Sequence, residues 1–196
     1  MRFISNYSSG RMGIALADAA SGMGATVDLV LGPVSIRPSE RSIKITDVTT
    51  AGSMADECIS LFPGCDIAIL SAAVADFTPA EVKSSKMKKD KNDLLLRLKP
   101  TTDIASALGK MKRPGQILAG FALETDDELE NAKKKLLSKN LDLIVLNSLK
   151  DEGAGFGHDT NKITLIDRNN IIDKFELKSK EEAAKDILEK IVSMIQ

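Results

Sequence analysis

The sequence predicts a three-layer α/β domain with a mostly parallel sheet and an antiparallel hairpin near its C-terminus. That class rests on three features. Short apolar, β-branched runs alternate with segments of helical period, the order that gives parallel strands joined by crossover helices. The runs Asp66–Leu70 and Leu141–Leu146 read as buried strands covered by helices on both faces. Lys162–Ile166 and Ile171–Leu177 flank the polar Asp167-Arg168-Asn169-Asn170, which suggests a hairpin turn.

The elements follow in order. Ser8-Ser9-Gly10 offers N-cap chemistry, after which Met12, Ala15, Leu16, Ala19 and Met23 recur at helical spacing, with Gly22 and Gly24 as breakers. Ala25–Leu31 is a first strand ending at Gly32-Pro33, and Ile43–Val48 alternates as a second. Thr50 caps a helix to about Phe62, stopped by Pro63-Gly64, and the strand Asp66–Leu70 comes next. A long stretch from Ser71 to Asp93 is closed by a strand expected at Leu94–Leu98. Then come a helix over Ile104–Met111, a strand over Ile117–Phe121, and a helix capped by Asp126 or Asp127 that runs to about Lys139. The strand Leu141–Leu146, a loop with Gly153, Gly155 and Gly157, the hairpin and an amphipathic helix over Lys180–Ile195 complete the chain. No repeat or linker interrupts this order, so residues 1–196 are expected to form a single domain of Rossmann-like architecture.

Composition narrows the function. The chain has 196 residues, and 27 Lys and Arg against 28 Asp and Glu leave a net charge of −1. That balance gives no broad field for nucleic acid or an anionic membrane, so any anion must be bound locally. Cys58 and Cys65, with His158 as the single histidine, cannot make a tetrahedral zinc site or a disulfide framework. They fit buried thiols of a reduced protein. No apolar run approaches the roughly 20 residues of a membrane span, and no signal peptide is evident. A cytoplasmic protein that binds neither nucleic acid nor membrane is expected.

Open parallel sheets bind ligands at the carboxyl ends of their strands. Four segments fall there: Ser5–Gly13, Ser71–Phe77, Phe121–Thr125, and Asn147 with the loop beyond it. The segment Asn6–Gly13 enters a helix whose free N–H groups either take ordinary caps or hold an anion. It lacks both the P-loop pattern and the spaced glycines of a dinucleotide fingerprint, and Tyr7 is followed by Arg11 where a Tyr-x-x-x-Lys pair needs lysine. Lys83–Lys91 places five lysines in nine residues, either a solvated face or a strap over phosphates. Lys135 and Lys139 share one helix face, where they serve the negative dipole end or an anion. Asp76 is a turn carboxylate, or one that accepts from an amine or holds Mg²⁺ through water. Asp103 reads as a helix N-terminal residue at the same rim, and His158 as a surface residue. The residues alone therefore indicate a domain that binds a phosphorylated ligand, a nucleotide for preference.

Taken together, Arg2–Gly13, Ser71–Phe77, Lys86–Lys89, Gly120–Thr125, Lys139–Asn147 and Phe156–Asn161 resemble phosphopantothenoylcysteine synthetase of bacterial coenzyme A biosynthesis, the synthetase part of a bifunctional decarboxylase/synthetase family. The resemblance runs in order from Arg2 to the last helix. It implies a ligase that joins 4′-phosphopantothenate to cysteine through an acyl-nucleotide, with CTP as co-substrate, Mg²⁺ or another divalent cation, and CMP and pyrophosphate as products. Position by position, it implies catalytic roles for Asn6, at the acyl intermediate, and for Lys86, on the strap. It implies nucleotide contacts for Ser8, Ser71, Ala72, Ala73, Asp76, Lys86, Thr102, Asp103, Ile104, Ala105, Phe121, Lys135 and Lys139. No metal ligands follow from it. Thr101-Thr102 stands where the family has Asn-Pro, and Leu123 where it has a smaller residue. The family's opening strand and Gly-rich loop have no counterpart here, so the domain is expected to lack them. A homodimer is implied, as is a flavin decarboxylase partner, fused or separate. An NAD(P)-binding reductase on the same architecture, and a truncated nucleotide-binding domain without turnover, are the competing readings.

Overall fold

The computed structural model describes residues 6–81, 95–124, 126–148 and 159–195. Five helices form: α1 (Arg11–Gly22), α2 (Ala51–Leu61), α3 (Ile104–Met111), α4 (Glu128–Ser138) and α5 (Lys180–Ser193). The strands are β1 (Asp28–Leu31), β2 (Lys44–Asp47), β3 (Ile67–Leu70), β4 (Phe77–Pro79), β5 (Leu98–Pro100), β6 (Ile117–Glu124), β7 (Leu143–Ser148), β8 (Thr160–Asn161), β9 (Ile163–Asp167), β10 (Ile172–Lys174) and β11 (Lys178–Ser179).

Local chemistry accounts for most boundaries. The Thr50 side chain accepts from the Ser53 N–H at 3.0 Å, while the Ser53 hydroxyl accepts from the Thr50 N–H, a reciprocal cap on α2. Ser179 and Glu182 cap α5 in the same way. Pro63 stops α2 in a short 3₁₀ turn. The start of α1 differs from the expectation: its cap is Gly10 in the left-handed region (φ 75°), with no side-chain bond from Ser8 or Ser9. Asp127 precedes α4, also left-handed (φ 44°) and without a capping side-chain bond.

The main sheet has five strands in the order β10-β9-β7-β6-β3. β3, β6 and β7 run parallel, while β9 and β10 are antiparallel, the expected mixed sheet with its terminal hairpin. β7 shows how the sheet carries two cores. Leu143 and Val145, both fully buried, pack with α1 and α5, whereas Ile144 and Leu146 pack with α2, α3 and α4, as the twofold alternation of a strand requires. Helices thus cover both faces, in three layers.

Three expectations change. The strand expected at Leu94–Leu98 forms later, as β5, and pairs antiparallel with β4, which the sequence did not suggest. Leu95 is 97% exposed, while Leu96 and Leu98 are about half covered, so this end of the run forms no core strand. Pro79 and Pro100 are tolerated because this two-stranded ribbon has open edges. The second hairpin strand stops at Lys174, because the chain turns away so that β11 can pair with β8. Finally, β3, expected to be buried, has all four residues half-buried and lies at the edge of its sheet among the described residues, and β1 and β2 form a separate parallel pair.

Candidate active site

A cleft of about 1100 Å³ opens where the carboxyl ends of the strands meet the first turns of α1 and α3. It gathers segments distant in sequence: Ser8–Gly13, Ser71–Val74 with Asp76, Thr101–Ala105, Phe121–Leu123, Lys135 and Lys139. The close approach of α1 to β3 depends on Gly13, where an added Cβ would lie 2.8 Å from the Ser71 hydroxyl. The Asn6 side-chain amide donates to the Ala73 carbonyl, while its oxygen accepts from the Ser8 N–H at 2.9 Å. The segment before α1 is thereby tied to the loop after β3.

The second wall is set by Thr101 and Asp103. The Thr101 hydroxyl donates to the Ala75 carbonyl at 2.7 Å and its N–H to the Asp76 carbonyl at 2.9 Å, which fixes the turn carrying Asp76. Asp103 caps α3, accepting from the Ser106 N–H at 3.0 Å, and pairs with Lys139 at 3.0 Å. Burial tends to raise its carboxyl, but the Ser106 N–H, the Lys139 ammonium and the Ser106 hydroxyl outweigh that and hold it below the usual range. The stabilisation this gives is present above the unfolded carboxyl's pKa and is lost as pH falls through the folded value, in the acid range. Asp103→Ala is expected to cost about 1 kcal/mol in urea unfolding at pH 7 and to flatten the acid limb of the stability profile. An unchanged acid limb would rule that out.

Lys135 lies on Glu124 at 2.5 Å, so both lysines are oriented by carboxylates rather than pointing freely into the cleft. An ammonium has three donors, and one carboxylate leaves donors for a further anion. Phe121 follows from β6 onto the same wall. Lys86 and His158 lie outside the described residues, as do Thr125 and the loop with Gly153, Gly155 and Gly157.

One corner of the cleft was not legible in advance. Lys180 is 5% exposed although charged; burial pushes its ammonium pKa down, and the nearby Arg11 adds to that. Arg11 itself pairs with Asp159. Asn147 and Asn161 each present a buried side-chain oxygen with no hydrogen-bond partner among the described residues, and both line the cleft. The only sequence signal was their place in rim segments, since Lys180 reads as an ordinary first-turn residue of α5.

Among the described residues, no group of three or more His, Cys, Asp or Glu could hold a metal ion, and no helix is long and apolar enough to cross a membrane. Cys58 and Cys65 are free and half-buried, and burial, ahead of the neighbouring acidic residues, raises both thiols.

The fold and cleft define a three-layer α/β domain with an open cleft at the carboxyl rim of its parallel strands. The chain belongs to the family described as the DNA/pantothenate metabolism flavoprotein C-terminal domain, which matches residues 1–195. It is 44% identical over 194 residues to the coenzyme A biosynthesis bifunctional protein CoaBC of Bacillus subtilis (strain 168), covering 99% of this chain and 48% of that protein. A cysteine/cysteine sulfinic acid decarboxylase from an unknown prokaryotic organism is 61% identical over 195 residues, covering 100% of this chain and 54% of that one. Among solved structures, the crystal structure of the C-terminal domain of CoaBC has a TM-score of 0.84 at 35% identity, covering 100% of this chain and 87% of that one. The chain thus spans about half the length of the curated relatives it matches.

Proposed function

We propose that this chain carries the amide-forming step of coenzyme A biosynthesis, joining 4′-phosphopantothenate to cysteine with CTP. The observation that supports it best is the gathering of Ser8, Ser71–Ala73, Asp76, Thr102–Ala105, Phe121, Lys135 and Lys139 around one cleft, in a chain 44% identical to a CoaBC protein.

The chemistry suits these residues. The carboxylate oxygen of 4′-phosphopantothenate attacks the α-phosphorus of CTP, and the bond to the bridging oxygen breaks to release pyrophosphate. The cysteine amine then attacks the acyl carbon; CMP leaves with the electron pair of the acyl C–O bond, and the amine proton passes to solvent. Both steps need charge neutralisation and positioning more than a strong base. Lys135 and Lys139 supply cationic donors, and the uncapped first turn of α1 adds backbone N–H groups. Asn6, bonded to Ala73 and Ser8, would offer its amide to the reacting acyl group. Lys86, outside the described residues, would supply a further cationic donor to the nucleotide, as the resemblance implies. Mg²⁺ would arrive on the triphosphate, and Asp76 is the carboxylate that would hold it through water. A homodimer and a flavin decarboxylase partner, fused or separate, complete the proposal.

Incubation with CTP, Mg²⁺, 4′-phosphopantothenate and cysteine is expected to release CMP and pyrophosphate in equal amounts, and absence of CMP would refute the reading. Lys86→Ala is expected to lower kcat by about 100-fold or more with unfolding unchanged, read as pyrophosphate release. A second reading, service in a decarboxylase, comes from the relative that is 61% identical. It predicts carbon dioxide from cysteine or its sulfinate with no nucleotide consumed, so the same incubation separates the two.

A further inference from the structure

The corner of the cleft at Lys180 is built by a short ribbon laid against the start of α1. β8 and β11 pair antiparallel with Asn161 opposite Lys178, and the Lys180 N–H extends that ladder by donating to the Asp159 carbonyl at 3.1 Å. Residues two apart on a strand share a face, as do residues directly opposite across a ladder. Asp159, Asn161 and Lys180 therefore stand on one side of the ribbon. The first turn of α1 covers that side: Arg11 pairs with Asp159, and the Asn161 amide nitrogen donates weakly to the Met12 sulfur at 3.4 Å. Asn161 and Lys180 are only 2% and 5% exposed, yet both line the cleft together with Arg11 and Met12. Buried polar groups are ordinarily bonded, and the Asn161 side-chain oxygen has no partner among the described residues. Lys180 brings an ammonium with three donors into this dry corner, beside Arg11 and at the positive end of α5, where an anion gains more than it would in water.

We propose that this corner is the subsite for the amino-acid substrate, with the Lys180 ammonium holding the α-carboxylate of cysteine and the Asn161 side-chain oxygen accepting from its α-amine. The two groups of an α-amino acid sit on one carbon, which suits a cation and an acceptor on one ribbon face. A nucleotide fits the pair less well, because its phosphates offer no donor beside their charge. The Asn161 oxygen is also neutral. It orients the amine without holding it in the ammonium form, as a carboxylate would, so the lone pair needed for attack stays available. Arg11 and Met12 follow Ser8 closely in the chain, which places the corner next to Ser8 on the same cleft. Cysteine as the occupant rests on the ligase reading.

Cysteamine, which is cysteine without the carboxylate, tests the assignment as an alternative nucleophile. With CTP, Mg²⁺ and 4′-phosphopantothenate, the wild-type protein is expected to favour cysteine over cysteamine by at least ~10-fold in kcat/KM for CMP release. Lys180→Met is expected to shrink that ratio by at least ~10-fold. A merely structural role for Lys180 would slow both amines alike, and a ratio left standing, or no preference in the wild type, would overturn the proposal. Asn161→Leu is the second variant, expected to raise the KM for cysteine by ~10-fold with the KM for CTP within about twofold of wild type. No rise for cysteine, or a rise confined to CTP, would give the corner to another ligand and overturn it equally. Absence of CMP from the wild-type protein would refute the ligase reading instead, and binding then decides. L-Cysteine must shift the Asn161 side-chain amide resonance in ¹H–¹⁵N spectra, and an unmoved resonance would overturn the subsite.

Discussion

Asp142→Ala is expected to cost the domain about 3–5 kcal/mol, a large part of the roughly 5–15 kcal/mol that holds a domain of this kind together. Asp142 stands at the entry to β7, with its side chain only 13% exposed, and three elements converge on it. Lys112, after α3, donates to both carboxylate oxygens at 2.7 and 2.8 Å, and its own side chain is 10% exposed. The Leu118 N–H of β6 donates to the same carboxylate at 2.8 Å, and Arg168 of the hairpin turn approaches at 3.4 Å. Removal of the carboxylate leaves a nearly buried ammonium and a buried N–H without their partner, and that desolvation outweighs any gain in apolar contact. Urea unfolding at neutral pH reads the loss directly. Replacing both partners, Asp142→Leu with Lys112→Met, is expected to recover part of it, because the nearly buried ammonium is then gone while only the Leu118 N–H and the half-exposed Arg168 lose the carboxylate. A single-site loss below about 1 kcal/mol would show the cluster to be solvent-relaxed.

Gly109→Ala is the second large effect, and its sign opposes helix propensity. Alanine inside α3 would ordinarily gain up to about 1 kcal/mol over glycine. Here an added Cβ would stand 1.9 Å from the Lys139 carbonyl oxygen and 3.2 Å from the Asn140 Cβ, so backbone must move. The contact is already tied, since the Asn140 amide donates to the Gly109 carbonyl at 2.7 Å from a left-handed residue (φ 55°). A loss of about 3 kcal/mol or more is expected. The damage would also reach the cleft: pushing residues 139 and 140 away draws Lys139 off Asp103, and nucleotide affinity should fall with stability. Gly22→Ala, at a helix end where the new Cβ meets nothing within 4 Å, serves as the control and should be neutral or slightly stabilising. Equal melting temperatures for the two variants would contradict the packing described here.

These two sites show why the fold was more legible than the cleft. Periodicity marked α3 over Ile104–Met111 to the residue, because its core face repeats and Asp103 supplies a cap. It placed the buried β7 run and the hairpin within a few residues, since alternation and turn chemistry are local. The β4–β5 ribbon escaped because its pairing joins Phe77 to Pro100 across a long stretch, with prolines where strands seldom carry them. The rim position of Asn6, Ser71–Asp76 and Phe121 followed from strand polarity, whereas Thr102–Ala105, Lys135 and Lys139 came as nucleotide contacts from the family resemblance. The engagement of Lys135 by Glu124 and Lys139 by Asp103 did not, because charge pairing between elements leaves no periodic trace. Lys180 and Asn161 escaped for the same reason: sequence gives no burial for a single polar side chain. The edge position of β3 among the described residues could not be read from its composition, since an apolar run looks the same at the edge of a sheet as inside it.

Oxygen tracing decides whether a carboxylate is activated at the α-phosphorus of CTP in this cleft, as proposed above. With 4′-phosphopantothenate carrying ¹⁸O in its carboxylate, together with CTP, Mg²⁺ and cysteine, one labelled oxygen per turnover is expected in CMP and none in pyrophosphate. Label appearing in inorganic phosphate, with CDP as the nucleotide product, would place the attack at the γ-phosphorus and contradict the account.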